Sequence, residues 1–451
     1  LVNALSDHHV DTLANVLGER GFNPANAAKV LRKYWKQDGE IDISSIAIAR
    51  PARAWITENL LPWHSHVLRR HQSVDGTMKL LVGFADQLAI RQSPHADPLP
   101  EHGGDRRTPF GLRMDLNESN RTSRPNPSPR YSGERMGEGL ELELRNEAPH
   151  PASPLSTGAR GTFSRHLDVF EKVSSVQEHR ERELGRGAVE CVLMPSHRPD
   201  RAAACISSQI GCAMGCDFCA STKSGLERNL CVGEIVEQFI HLRIEARKQN
   251  RRIASLVFMG MGEPMHNLDH VIPAIRILAE PGLGALGNRA ITVSTVGVVP
   301  GIDRLAEADL GVHLALSLHA PDDETRSRLV PMNRKWSVKE ILDAARRYQH
   351  RVGRPVNIEY CMLGGVNDSD AQATLLGELM HDFRAHVNLI PYNSIGAGVS
   401  GIVYQRPGDE RIGRFARILR EKGVVAHIRQ TRGDDVAAAC GQLRLASRAA
   451  H

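Results

Sequence analysis

From residue 201 onward the chain repeats one pattern: a short apolar run rich in β-branched residues, then a segment whose apolar residues recur at helical spacing. Strand-like runs fall at 202–210, 254–259, 290–295, 312–318, 356–362, 387–390 and 424–429. Helical patterns separate them at about 232–248, 269–279, 300–308, 337–350, 369–382 and 409–422. Strands that alternate with helices pair in parallel, because each helix returns the chain to the start of the next strand. The pattern predicts an α/β fold, a partial (β/α)6 barrel of the TIM type, with chemistry gathered at the C-terminal ends of its strands.

Residues 1–75 read as a small helical domain, with Val10, Leu13, Val16 and Leu17 on one helix and Ala28, Val30, Leu31 and Trp35 on a second opened by Asn23-Pro24. Arg32, Lys33, Lys36, Arg50, Arg53, Arg69 and Arg70 make either an ordinary solvated face or one that meets a phosphate backbone. A strand at 78–85, within a 76–90 linker, is expected to pair with the strand of a 186–200 segment. Between them, 91–185 is rich in Pro, Gly, Ser and Arg without apolar period, so it is expected to be a disordered insertion. The barrel occupies 201–430 and a C-terminal segment 431–451.

The strand ends carry the motifs. Met259-Gly260-Met261-Gly262-Glu263-Pro264 closes the second barrel strand, where Gly262 would let a ligand approach the backbone and Glu263 would accept from an ammonium group. Ser294 ends the third strand, Ser317-Leu318-His319 the fourth, and Asn393 a later one, a set suited to a ribose or carboxylate. Each alone is equally an ordinary turn residue.

Cys212, Cys216 and Cys219 share the loop after the first barrel strand. Three thiols on a tight loop can hold three irons of a four-iron, four-sulfur cluster. A zinc knuckle or plain buried thiols are the alternatives, but structural zinc wants four closed ligands and no Cys or His follows Cys219 at short spacing. The open iron would bind a molecule with an amine and a carboxylate, and the spacing resembles the signature of enzymes that hold S-adenosylmethionine (SAM) in this way. Eight cysteines in 451 residues are too few for a disulfide scaffold and fit a reducing cytoplasm. The first residues do not read as a signal peptide and no run reaches membrane-span length. A net charge of +5 fits an acidic partner such as RNA.

Four stretches in order, Arg201–Cys212, the Met-Gly-Met-Gly-Glu-Pro strand end, Ser317-Leu318-His319-Ala320-Pro321 and Arg432-Gly433-Asp434-Asp435 through Cys440-Gly441-Gln442-Leu443, resemble the RlmN/Cfr class of radical-SAM RNA adenine methyltransferases. The resemblance covers about 188–445 and the helical start. It implies one [4Fe-4S] cluster on Cys212, Cys216 and Cys219, and a SAM site of Gly262, Glu263, Ser294, Ser317, Leu318, His319 and Asn393. It also implies that Cys440 is itself methylated, that a radical derived from a second SAM activates the S-methyl group, and that the carbon adds to adenine. Glu190 would then accept the ring proton, and Cys205 would release the product through a transient disulfide with Cys440.

The implied substrate is C2 of an adenosine in 23S ribosomal RNA, with transfer RNA as a second substrate and flavodoxin or ferredoxin as reductant. The chain would work as a monomer in the cytoplasm. Methylation at C8 and a non-catalytic iron–sulfur RNA-binding protein are the competing readings; joint retention of Glu190, Cys205 and Cys440 argues against the latter. Departures from the class are a slightly long loop at 194–200, Val296 where Ser is common, and the insertion. Cys191, Cys231 and Cys361 read as small buried hydrophobes.

Overall fold

A computed structural model of the chain describes residues 4–61, 63–84 and 187–443. The expected insertion at 91–185 lies outside the described residues, as does the chain beyond 443. Three helices open the fold: α1 (Val10–Glu19), α2 (Asn26–Lys36) and α3 (Arg50–Asn59). Strands β1 (Ser65–Gln72), β2 (Met78–Phe84), β3 (Ala188–Pro195) and β4 (Arg201–Cys205) follow. A separate two-stranded sheet, β5 (Gln209–Gly211) with β6 (Leu226–Asn229), frames the cysteine loop.

The repeating part runs α4 (Val232–Lys248), β7 (Arg252–Phe258), α5 (Leu268–Ala279), β8 (Ile291–Thr295), α6 (Val299–Glu307), β9 (His313–Ser317), α7 (Asp323–Leu329) and α8 (Val338–Val352). It ends with β10 (Val356–Met362), α9 (Asp370–Leu379), β11 (Ala385–Pro391), α10 (Asp409–Glu421) and β12 (Val425–Ile428). Local chemistry sets the helix bounds. On α8, Ser337 and Glu340 cap each other's backbone at the start, and Gly353, at φ +73°, ends the helix in the left-handed region.

The main sheet has ten strands in the order β1-β2-β3-β4-β7-β8-β9-β10-β11-β12. From β4 to β12 neighbours are parallel, whereas β1 to β4 are joined antiparallel. The order ends at β1 and β12, so the sheet is an open, partial barrel. Alternation along the strands sorts the two faces: Ile291 and Val293 on β8 and Val387 and Leu389 on β11 are fully buried toward the helices. Ser294, Ser317 and Asn388 line the half-buried inner face. Among the described residues no helix is long and apolar enough to cross a membrane.

Two expectations need correcting. The strand read at 202–210 stops at Cys205, after which Ile206 and Ser207 turn the chain away and Gln209–Gly211 joins β6 instead. The helical reading of residues 1–75 misses β1, whose sequence Ser-His-Val-Leu-Arg-Arg-His-Gln is mostly polar because it is an edge strand with an exposed face. The N-terminal helices share one hydrophobic core with the barrel, with Tyr34 and Trp35 of α2 in the same cluster as Phe239 of α4. Buried Glu237 on α4 fastens this contact by accepting from Ser6 Oγ at 2.5 Å, the His64 amide at 2.8 Å and Ser65 Oγ. Of the basic residues, Arg53 donates to the carbonyls of Ile46 and Ile48 and Arg70 pairs with Glu245 at 2.9 Å, so both serve the fold.

Candidate active site

The cysteine loop is wound tightly. Gly211 and Gly215 take φ of +74° and +71°, and a Cβ on Gly211 would fall 1.9 Å from the Gly225 carbonyl oxygen. The Cys212 amide donates to that same carbonyl at 2.9 Å, and Thr222 Oγ1 accepts from the Gly215 amide at 3.0 Å. Asp217, inside the triplet, accepts from Ser400 Oγ and Tyr404 Oη, each at 2.5 Å, and anchors the loop to the 396–404 segment. Burial raises all three thiols, Cys212 to about 12, and neighbouring thiols add to the rise at Cys212 and Cys216. Such sulfurs ionise only when a cation binds them.

Three thiols on one loop can hold three irons of a four-iron, four-sulfur cluster, whereas structural zinc wants four closed ligands. Elsewhere, potential ligand atoms of Asp7, His64 and Cys231 lie within 4.8 Å of one another.

The neighbouring strand ends are drawn together. Gly262 has φ +102°, and a Cβ there would meet Gln209 Cβ at 2.6 Å. Glu263 is buried and accepts from the amides of Met265 at 3.1 Å and Val296 at 2.9 Å; burial pushes its carboxyl up to about 7 while those amides act the other way. Ser294 and Ser317 hydroxyls are 3.4 Å apart. His319, at φ +60°, accepts the Cys361 amide at Nδ1, 3.0 Å away, which leaves its proton on Nε2. Burial, with Arg326 nearby, pushes its pKa down to about 3, so the ring is neutral. Leu318 contributes backbone: its amide donates to the Glu359 carbonyl at 3.0 Å.

The C-terminal segment folds over this mouth. The Ala220 amide donates to Gly441 O at 2.7 Å, Ser221 Oγ to Leu443 O at 2.6 Å, and Asn393 Nδ2 to Cys440 O at 3.3 Å, while Thr431 Oγ1 donates to Asn393 Oδ1 at 3.0 Å. Cys440 is exposed to solvent; desolvation and then Glu359 raise its thiol while Arg429 opposes the rise. Cys205, at the end of β4, is buried and pushed up to about 12 by burial and then by the charge of Cys440. Both are free thiols here. Glu190 on β3 is buried and its Oε1 lies 2.9 Å from Lys79 Nζ.

Residues 206–376 match the Radical SAM superfamily. The chain is 56% identical over 256 residues to the probable dual-specificity RNA methyltransferase RlmN 1 of Opitutus terrae, covering 57% of this chain and 72% of that protein. The chain belongs to the RlmN family of radical-SAM RNA methyltransferases. Its counterpart in Rhodopirellula baltica, a probable dual-specificity RNA methyltransferase RlmN, is 44% identical over 294 residues, 63% of this chain and 77% of that one. The crystal structure of a radical SAM methyltransferase from Sphaerobacter thermophilus superposes with a TM-score of 0.71 at 32% identity, covering 98% of this chain and 100% of that one.

For an RlmN-family chain, an iron–sulfur cluster and SAM are the implied groups, and three free thiols on one loop beside a glycine-relieved strand end fit them. Sequence reasoning missed several residues that build this site. Arg326, fully buried, donates to the carbonyls of Leu318 at 2.9 Å, Val296 at 2.5 Å and Ser317 at 3.1 Å, binding two strand ends together. Nothing in its charged helical context marks it. Asp217 could have been read from its place inside the triplet, and Lys79 from being a charge in an otherwise apolar strand. Cys361, expected to be a plain buried residue, supplies its amide to His319 and its thiol feels the charges of Cys440 and Cys219.

Proposed function

We propose that this RNA methyltransferase methylates C2 of adenosine in 23S ribosomal RNA, and in transfer RNA, by way of methylated Cys440, with Cys212, Cys216 and Cys219 as the three cluster ligands. The observation that carries the reading is the docking of the Cys440 segment on the cysteine loop, where the Ala220 amide donates to Gly441 O at 2.7 Å and Ser221 Oγ to Leu443 O at 2.6 Å. RNA binding alone needs neither Cys440 nor Cys205. The relatives are named dual-specificity RNA methyltransferases, which supports an RNA substrate.

When bound, SAM and the reduced cluster supply the methyl group and the radical that activates it. Gly262, Glu263, Ser294, Ser317, Leu318, His319 and Asn393 would hold SAM: neutral His319 offers an Nε2–H donor, and buried Glu263 offers carboxylate lone pairs to an ammonium. Cys440 must lose its proton to act as a nucleophile, and the Arg429 charge favours the thiolate. Once Cys440 carries a methyl group it bears no charge, which removes one of the two causes that hold the Cys205 thiol up.

Glu190 takes the ring proton from the RNA-bound intermediate, and the unpaired electron left by the radical addition would return to the cluster that supplied it. Cys205 sulfur then attacks Cys440 sulfur: the S–S bond forms, the bond from Cys440 sulfur to the new carbon breaks, and its electron pair stays on the carbon, which gains a proton to become methyl. Replacing the release thiol tests this order. Cys205→Ala is expected to accumulate RNA joined covalently to Cys440, seen as a shifted band on a denaturing gel; free RNA and free protein after turnover would contradict the assignment.

A further inference from the structure

The β1–β2 hairpin holds a buried charge aimed at the site. On β2, Met78, Leu80, Val82 and Phe84 pack into the core, so Lys79 points to the opposite face. The register places that face: Lys79 pairs with Val192, and Val192 pairs with Cys205. Residues paired across strands share a face, so Lys79, Val192 and Cys205 stand in one row. Glu190, two residues before Val192, is the diagonal neighbour of Lys79, within reach of a long side chain.

The side chains complete this geometry. Lys79 is 8% exposed, and its ammonium lies 2.9 Å from Glu190 Oε1 and donates to the Ala437 carbonyl at 3.2 Å. Ala437 is three residues before Cys440, in the left-handed conformation at φ +49°. The hairpin turn grips the same segment: Gly433 N donates to Asp75 Oδ2 at 3.1 Å, while Asp435 accepts from Ser73 Oγ at 2.6 Å and the Val74 amide at 3.2 Å. A buried ammonium is costly unless paired. Both of its contacts here lead to groups assigned to the reaction.

We infer that Lys79 is a positioning residue for the proton-transfer step: its ammonium holds the Glu190 carboxylate in place and ties it to the segment carrying Cys440. The inference rests on the roles proposed above for Glu190 and Cys440. In the step, the ring C–H bond breaks, an O–H bond forms on Glu190, and the electron pair stays with the ring. Lys79 gives up no proton. A carboxylate that loses its anchor is no longer held within hydrogen-bond reach of the ring proton, and a general base acts only at that distance.

The test compares wild type, Lys79→Met, Lys79→Arg and Glu190→Gln as cluster-loaded full-length enzyme in single-turnover reactions with SAM, reductant and ribosomal RNA. Three readouts are followed: methylation of Cys440 by protein mass, 5′-deoxyadenosine, and released methylated RNA. Lys79→Met is expected to keep the first two and to lose about a hundredfold in released product, the scale of a misplaced general base. RNA should stay attached to Cys440. Lys79→Arg, which keeps a cation beside Glu190, should restore release.

Release at the wild-type rate by Lys79→Met beside a stalled Glu190→Gln would overturn the role of Lys79 alone. Product release by Glu190→Gln at the wild-type rate would instead overturn the assignment of Glu190. A folded Lys79→Met unable to methylate Cys440 would put the lysine in an earlier step and also contradict the inference. If Lys79→Met does not fold, Lys79→Gln, which retains a donor for the Ala437 carbonyl without the charge, serves the same comparison.

Discussion

Arg326 is the largest side chain buried without exposure, and burial pushes its guanidinium down to about 10. It remains charged because the carbonyls of Leu318, Val296 and Ser317, with Asn333 Oδ1, surround it. Those carbonyls belong to the strand ends proposed to hold SAM, so one residue supports both fold and site. Arg326→Met keeps the bulk and leaves four acceptors short of a donor. The expected loss is about 3 kcal/mol of stability, the scale of stranding buried hydrogen-bonded groups, together with weaker SAM binding. Chemical denaturation and calorimetric titration with SAM measure the two effects; unchanged values in both would show that the carbonyls find other donors. At this scale the sequence was legible where chemistry clusters in the chain, as at the cysteine loop and the Met-Gly-Met-Gly-Glu-Pro strand end. It was opaque where a residue such as Arg326 acts on partners brought near only by folding.

Among the elements, α4 carries the attachment of the N-terminal helices. Burial pushes the Glu237 carboxyl up to about 7, while His64, paired with Asp7 at 2.6 Å, is raised. A carboxyl whose folded pKa lies above its unfolded value takes up a proton on folding, so stability falls as pH rises from about 4.5 to about 7. Raised His64 acts in the same direction, its contribution being present below its unfolded pKa and lost as pH rises through its folded one. Glu237→Gln is therefore expected to flatten the fall in melting temperature between weakly acidic and neutral pH; an unchanged slope would assign the dependence elsewhere. The barrel helices and most strands were legible because each strand buries a continuous apolar row and each helix an apolar stripe. The β1 edge was not, since an exposed strand needs no such row, and neither was α7, a short charged helix.

At the scale of the whole molecule, parts far apart in sequence meet at one mouth. Glu190 and Lys79 come from the antiparallel extension, Cys205 and the cysteine loop from the start of the barrel, and Cys440 from the segment that folds back over it. Periodicity announced the barrel, and the pairing of β2 with β3 was expected from the sequence and is found. The convergence was not legible, because it depends on contacts of the 433–443 segment that only folding creates. The family resemblance located Cys440 and Cys205, and the charge of Cys440 contributes to the raised thiol of Cys205 after burial. The central claim is that this convergence methylates C2 of adenosine. Cluster-loaded enzyme, SAM and reductant, incubated with 23S ribosomal RNA lacking the modification and followed by nucleoside mass spectrometry, measure it directly. The account predicts 2-methyladenosine, abolished by Cys440→Ala. The 8-methyl isomer, or no methylated adenosine from a protein that turns over SAM, would contradict it.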